Sequence, residues 1–322
     1  MVPYVLAELE LRHLLALQAV AESGTFWAAA ERLGCSQSAV SQQIAAVERI
    51  LGCPLIDRGR GRRSVAVTEA GRLLLRHAEA IVARLRAVHA DFTALAEGEG
   101  GTLRVGTFES SGTCILPPLL REFRRRWPAV EVRLTELAKD DQLLELVERG
   151  ELDLTFAVLP LPQGPFASEL LLGDPFVLVV ASDGAFATEG RGSVALAALQ
   201  DLLLIGFGHG RSMEQAEAHM KALGIDPDIV FRSNYNGTVQ GLVAAGMGAA
   251  VAPLLTVDMQ RSDTRVVGPI EGLPPRRIAL AWHKDRYRSR AAEAFVETAT
   301  TVSARLGSEL PRRQVRRGRT PS

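Results

Sequence analysis

The stretch Ser36-Gln37-Ser38-Ala39-Val40-Ser41-Gln42-Gln43-Ile44-Ala45-Ala46-Val47-Glu48-Arg49-Ile50-Leu51 decides how this chain is read. Val40, Ile44, Val47 and Leu51 recur at helical spacing, which predicts a helix with one inward stripe. Ser36 suits the N-cap, where a hydroxyl accepts a bond from an amide left free in the first turn. The other side carries Gln37, Ser38, Ser41 and Gln42, short polar groups with almost no charge. A face that merely meets water more often carries Lys and Glu. Neutral donors and acceptors of this reach suit base edges and phosphates in a major groove. On these residues alone a bland solvated face stays open as the alternative.

Upstream, Leu11, Leu14, Leu17 and Val20 predict a first helix with one apolar face. Thr25 can cap a second, in which Phe26, Ala29, Ala30 and Leu33 face inward, and Gly34 permits the sharp reversal into the third. Downstream, Pro54-Leu55-Ile56 and Ser64-Val65-Ala66-Val67 predict two short strands of a hairpin. The loop between them gathers Arg58, Arg60, Arg62 and Arg63. A guanidinium-rich loop beside a recognition helix is a wing, placed to meet phosphates or enter a minor groove. Helix-turn-helix and wing together point to DNA.

From about Thr68 to Glu97 the pattern predicts one long helix, ended by the run Gly98-Glu99-Gly100-Gly101. Leu74, Ala78, Ile81, Leu85, Val88, Phe92 and Leu95 alternate spacings of four and three, which is a heptad seam. The positions between are rich in Arg, His and Glu, so a symmetric partner helix is the simplest cover. Two DNA heads then imply a roughly two-fold symmetric operator.

Bulk properties narrow the class without naming a partner. The chain has 322 residues, enough for two or three domains, with 47% apolar and 23% charged residues and a formal net charge of zero. No apolar run approaches a membrane span, and the N-terminus lacks an export signal, so a cytosolic location is expected. Cys35, Cys53 and Cys114 form neither a CxxC pair nor an even set, which argues against a disulfide framework, a zinc site or a redox pair. No cofactor or metal is expected.

The residues from Leu11 through Gly71 carry a resemblance. Val20-Ala21-Glu22-Ser23-Gly24-Thr25-Phe26, Ala29-Ala30-Glu31-Arg32-Leu33, Ser36-Gln37-Ser38-Ala39-Val40-Ser41, Gln43-Ile44, Glu48, Leu51-Gly52, Pro54-Leu55, Arg58 and Thr68-Glu69-Ala70-Gly71 follow in one order. In this the chain resembles the LysR-type transcriptional regulators, and a weaker likeness covers nearly all of the remainder. The resemblance implies DNA contacts at Gln37, Ser38, Ser41, Gln42 and Arg58, to which the wing reading adds Arg63. It also implies assembly as dimers or tetramers. The chain departs from the family pattern at Leu17, Trp27, Gln42 and Ile56. Gln42 and Trp27 alter groups near the DNA, which bears on the operator sequence.

Beyond Gly101 strands and helices alternate: Thr102–Gly106, a helix through Leu116 to Trp127, Val130–Leu134, a helix from about Asp141 to Glu148, and Asp153–Val158. Phe176–Val180, Leu203–Ile205 and Ile229–Phe231 supply a second lobe, Gly246–Pro253 a return strand, and Arg277–Trp282 leads back to the first. This resembles the family's effector domain, a two-lobed fold shared with periplasmic binding proteins. Ligands of open α/β sheets sit beyond the carboxyl ends of strands. That rule and the resemblance place an effector site at Ser110, Ser111, Phe207, Asn236 and Thr238. No enzyme is expected: Gly206-Phe207-Gly208-His209-Gly210 lacks the spacing of a nucleotide fingerprint, and Asp140-Asp141 and Asp226/Asp228 read as caps or turn residues.

The expected architecture is an N-terminal, mainly α winged helix-turn-helix at 9–67, a linker helix at 68–98, and a C-terminal α/β effector domain at 99–308. Its lobe I spans about 99–160 and 269–308, its lobe II about 165–267, and 309–322 form a disordered basic tail. The expected function is sequence-specific DNA-binding transcription regulation by a small-molecule effector. The expected partners are double-stranded DNA, the effector, further copies of this chain and RNA polymerase, with no membrane. The competing reading is a cytosolic solute-binding or enzymatic module with a helical dimerisation appendage.

Overall fold

The first helix, α1 (Leu11–Ser23), starts where the Glu10 amide donates to Nδ1 of His13 (3.1 Å) and ends on Gly24, whose φ of 70° suits glycine. Leu14, Leu17 and Val20 are buried, whereas Leu11, in the first turn, is exposed rather than part of the inward face. Thr25 caps α2 (Phe26–Leu33) by accepting from the Ala28 amide (3.1 Å), and Ser36 caps α3 (Gln37–Leu51) from the Ala39 amide (3.1 Å). Gly34, at φ 65°, turns one into the other. Val40, Ile44 and Val47 pack against Ala29 and Ala30; Leu51, expected with them, is exposed as the last residue of α3. The computed structural model describes residues 8–57, 65–97, 100–184, 192–208 and 210–315.

Among the described residues the hairpin strands are short: β1 (Ile56–Asp57) and β2 (Ala66–Val67) pair antiparallel, and Ser64, expected in the second strand, lies outside that set. What holds them is side-chain chemistry from both flanks. Glu48 Oε1 on α3 accepts from the amides of Leu55 (2.8 Å) and Ile56 (3.3 Å). Thr68 Oγ1 donates to the Pro54 carbonyl (2.8 Å) and accepts from the Gly71 amide (3.0 Å), capping α4 (Glu69–Glu97). A Cβ on Gly71 would lie 2.3 Å from the Leu55 carbonyl oxygen, so only glycine lets the helix sit this close.

Helix α4 has 29 residues and is therefore about 43 Å long at 1.5 Å per residue. The expected seam splits within it. Leu74 is half-buried against the helix-turn-helix core and Ala78 is buried, while Ile81, Leu85, Val88 and Phe92 are exposed. The side chain of Leu95 lies outside the described set.

Residues 1–89 and 90–322 form separate compact units. The second begins with β3 (Gly101–Thr107), α5 (Glu109–Cys114), α6 (Leu116–Arg126), β4 (Val130–Glu136), α7 (Asp140–Arg149) and β5 (Leu154–Leu159). It continues through β6 (Phe166–Asp174), β7 (Phe176–Ala181), β8 (Val194–Ala195), β9 (Leu203–Phe207), α8 (Arg211–Ala222), β10 (Asp228–Ser233) and α9 (Asn236–Ala244). Then follow β11 (Ala250–Pro253), β12 (Thr264–Val267), β13 (Ile270–Glu271), β14 (Arg276–His283) and α10 (Arg290–Val315). Lobe I is built on a five-stranded sheet of order β4-β3-β5-β14-β6, parallel among β4, β3 and β5 and antiparallel around β14. In lobe II, β7 lies between β11 and β12, and the parallel pair β9–β10 joins β11 through a bridge from Leu204 to Ala249. The chain crosses between lobes at Asp174–Phe176 and again between β12 and β14.

Three expectations change. β6, absent from the expected strands, is the outer strand beside β14 in the lobe I sheet, so lobe II begins near Phe176 rather than at about 165, and β13, paired with β8, places 270–271 in lobe II rather than lobe I. The return strand is Ala250–Pro253, because Gly246, at φ 74°, lies in the turn that follows α9. The basic tail does not begin at Glu309: α10 continues through Val315, and 316–322 lie outside the described residues. The helix is anchored by Ala291, Ala292, Phe295, Ala299 and Val302, with Phe295 set edge-on to Phe123 at 5.1 Å. Among the described residues no helix is long and apolar enough to cross a membrane.

Glu48→Ala removes the acceptor of two partly buried amides, and Gly71→Ala forces the Leu55 carbonyl away. Each is expected to destabilise the N-terminal unit by about 1–3 kcal/mol, read as an earlier first transition in thermal unfolding.

Candidate functional site

In the first unit the geometry follows from one helix. With Val40, Ile44 and Val47 wholly buried, α3 turns Gln37, Ser38 and Gln42 into solvent and leaves Ser41 half-buried on the same side. Ser38 Oγ shares a hydrogen bond with Ser36 Oγ (2.9 Å), which ties the start of the ridge to the cap. The first turn of α3 holds no acidic residue, so its free amides and positive helix end meet solvent without an opposing carboxylate. Trp27 on α2 is 65% exposed, an unusual amount of indole to leave in water. Arg58 and Arg63 fall at 58–64, outside the described residues. The wing's return strand is placed by a bond from the Val65 amide to the Gly24 carbonyl (2.8 Å), next to the cap of α2.

In the second unit a cleft of about 390 Å³ opens between the lobes. Its wall includes Ser110, Phe207 and Asn236, all expected there. Ser111 and Thr238, expected with them, are not in the wall. Ser111 is fully buried with no partner for its Oγ among the described residues, since one helical step turns it away from Ser110. Thr238, two steps beyond Asn236 on α9, faces solvent. Glu109, beside Ser110 at the strand end expected to bind ligand, also lines the cleft, as do Glu136, Lys139 and Arg276, which lie outside the expected segments.

Arg276 is the buried charge of this site, with 5% of its side chain exposed. Its Nε and Nη2 donate to Asp174 Oδ2 (3.1 and 2.5 Å), Nη2 also donates to Ser110 Oγ (3.0 Å), and the guanidinium lies 5.7 Å from the Phe108 ring centre. Asp174 Oδ1 accepts the Leu255 amide of lobe II (3.0 Å). Burial pushes the Asp174 carboxyl up, opposed by the Arg276 charge and the Leu255 and Leu254 amides. Asp174 and Arg276 face each other where β6 and β14 run out toward lobe II. They are 102 residues apart, and no local pattern announces the pair.

Gly208 belongs to packing rather than to a phosphate loop. Its amide donates to the Ser233 carbonyl (2.6 Å), which joins the ends of β9 and β10 at the cleft wall, and a Cβ there would displace the Asn234 side chain, 1.7 Å away. His209 lies outside the described residues. Asp140, read as a cap, is instead buried and accepts the Val158 amide (2.9 Å), whereas Asp141 bonds the next amide, that of Gln142 (2.8 Å). No cysteine lines the cleft: Cys114 donates to the Leu255 carbonyl (3.4 Å), and Cys35 and Cys53 belong to the first unit. No metal-binding cluster occurs among the described residues.

Comparison with known proteins addresses both units. The LysR substrate binding domain pattern matches residues 96–304, and that of bacterial regulatory helix-turn-helix proteins of the lysR family matches residues 11–72. The uncharacterized HTH-type transcriptional regulator YfeR of Shigella flexneri is 30% identical over 287 residues, covering 88% of this chain and 91% of that protein. The DNA-binding transcriptional dual regulator OxyR of Escherichia coli is 29% identical over 300 residues, covering 92% and 96%. An H2O2-bound mutant of Corynebacterium glutamicum OxyR superposes with a TM-score of 0.60 at 26% identity, covering 97% of both chains. Full-length CbnR in complex with its target DNA shares the fold, with a TM-score of 0.65 at 23% identity over 91% of this chain and 100% of that one.

Arg276→Met leaves the Asp174 carboxylate buried without its counter-charge and is expected to cost about 3–5 kcal/mol. The carboxyl then lies further above its unfolded value. Its contribution is fully present below the unfolded value and is lost as pH rises through the folded one. Thermal melts across a pH series should therefore show a deficit against the parent that is smallest in acid and widens upward.

Proposed function

The chain belongs to the LysR family of bacterial transcription regulators, and from that premise we propose that the ridge Gln37, Ser38, Ser41 and Gln42 reads its operator in the major groove, with Arg58 and Arg63 of the wing on the phosphates. The protein is a DNA-binding regulator with an effector-binding domain, not an enzyme. The observation that carries the residue assignment is the uncharged ridge, turned outward on a helix whose opposite stripe is wholly buried. We assign 9–67 to DNA binding, 68–98 to the linker helix and 99–308 to the effector domain.

The effector site is the interlobe cleft, with Ser110, Phe207 and Asn236 as contacts and Arg276 as the polar anchor beneath them. The volume suits a small molecule. Two relatives carry names tied to hydrogen peroxide, but thiol chemistry has no support in this cleft, which no cysteine lines. A ligand that prefers one lobe separation shifts the population of that state and, through the linker helices, the angle between DNA heads.

A second copy of this chain covers the exposed stretch Ile81, Leu85, Val88 and Phe92, whose spacing continues the seam past the point where Leu74 and Ala78 are used at home. The pair presents two recognition helices to a roughly two-fold symmetric site, and tetramers arise by pairing of effector domains. The site of action is the cytoplasm, where promoter DNA and RNA polymerase, the further partner, are found.

Electrophoretic shift with the DNA upstream of its own gene tests the reading. Ser41→Ala and Gln42→Ala are each expected to weaken binding by about 1–3 kcal/mol, and Arg58→Ala to lower the salt slope by about one. Unchanged affinity in all three variants contradicts the assignment. Leu85→Glu is expected to yield monomers by light scattering and to weaken operator binding; a dimer that persists removes the seam from the account.

A further inference from the structure

Helix α7 of lobe I and helix α8 of lobe II begin on opposite sides of the cleft, and their first residues meet. Arg211, opening α8, places Nη2 3.1 Å from Asp140 Oδ2, which opens α7, and the same nitrogen donates to the Val158 carbonyl at the end of β5. Asp140 Oδ2 in turn accepts the Val158 amide (2.9 Å). One guanidinium of lobe II is thus bound to a carboxylate and a backbone oxygen of lobe I.

The setting makes this contact unlike a surface ion pair. Asp140 is buried, and Arg211 keeps only 18% of its side chain exposed. A guanidinium in the first turn of a helix opposes the positive end of that helix, an arrangement that favours a nearby anion. The Asp140 carboxylate supplies it for two helix ends at once. Breaking one side of such a pair strands the other charge out of water. Nε of Arg211 is buried with no acceptor among the described residues.

Position gives the contact its consequence. Lys139 on one side, and Gly210 and Ser212 on the other, line the cleft, so the pair sits at the cleft wall. The two chain crossings, where Arg276 meets Asp174, are formed by other segments of the chain. A contact set apart from the crossings restrains rotation about them.

We propose that Arg211 and Asp140 form a latch between the lobes that holds them at their present separation and must open for the lobes to rotate. The proposal draws on the effector-site reading only for its regulatory meaning; the latch itself is a property of the domain. Its effect on the DNA-binding state follows by population shift, because a ligand beside Lys139 and Ser212 changes the latch contacts in one state and not in the other.

The test measures lobe separation without DNA or effector. In a full-length background of Cys35→Ser, Cys53→Ser and Cys114→Ser, the last keeping a donor for the Leu255 carbonyl, spin labels on Glu145→Cys in lobe I and Lys221→Cys in lobe II report the distance, with labelled chains diluted into unlabelled ones. The parent is expected to give one narrow distribution. Arg211→Met and Asp140→Asn should each broaden it or shift it by several ångströms. Asp140→Asn keeps an acceptor for the Val158 amide and so carries the test should Arg211→Met fail to fold. Folded variants whose distributions superpose on the parent's overturn the latch. Failure of operator binding in the parent would instead strike the functional reading and leave these distances unaffected.

Discussion

The burial of Val40, Ile44 and Val47 against the small side chains of α2 is the constraint from which the rest of the DNA-binding unit follows. A helix repeats every 3.6 residues, so once these positions are fixed in the core, positions 37, 38, 41 and 42 have nowhere to face but outward. Ala29 and Ala30 make the approach close enough to be rigid. Each buried aliphatic side chain contributes on the order of 1.5–3 kcal/mol, far more than any bond the polar ridge makes within the protein. The ridge is therefore held in place by the core rather than by its own polar groups: beyond the Ser38–Ser36 hydroxyl bond, Gln37, Ser41 and Gln42 keep their side-chain groups available to a partner. Glu48, one step around the same helix from Val47, carries that rigidity into the hairpin through the Leu55 and Ile56 amides.

The sensing unit solves a different problem, since a cleft that receives ligands must stay polar and still be fixed. Arg276 does this by turning one guanidinium toward Ser110 at the cleft and toward Asp174 at the crossing, while Asp174 reaches the Leu255 amide in the other lobe. Such a pair adds little net stability, because taking both charges out of water costs about as much as their attraction returns. Its value is geometric: the wall of the cleft and the crossing between the lobes share one set of bonds. A change at Ser110 is felt where the lobes join. The Arg211–Asp140 contact applies the same chemistry at a second point.

The features legible in the residues were those with local causes. Thr25 and Ser36 act as caps where their types and places indicated, and Gly34 takes the left-handed turn between them. The outline of fold and family was equally readable, because the helix-turn-helix signature lies within about sixty contiguous positions matched at 11–72. Misses came where tertiary context decides. Leu11 and Leu51 share the period of their helices, yet lie at the ends, where the core no longer reaches. β6 has a weak local signal because Ala167-Ser168-Glu169 breaks the apolar run in an outer strand. Ser110 and Ser111 could not be told apart in a six-residue helix. Arg276 gave no sign of its role, since Asp174 is far away in the chain and only the sheet register brings them together.

Hydroxyl-radical footprinting of the full-length protein on the DNA upstream of its gene, at low and then moderate salt, tests the central claim most directly. The account predicts two protected patches facing one side of the duplex, about 34 Å or a multiple of it apart, fading together as salt rises. Absence of protection on every fragment at low salt, or protection with no helical periodicity, would contradict it.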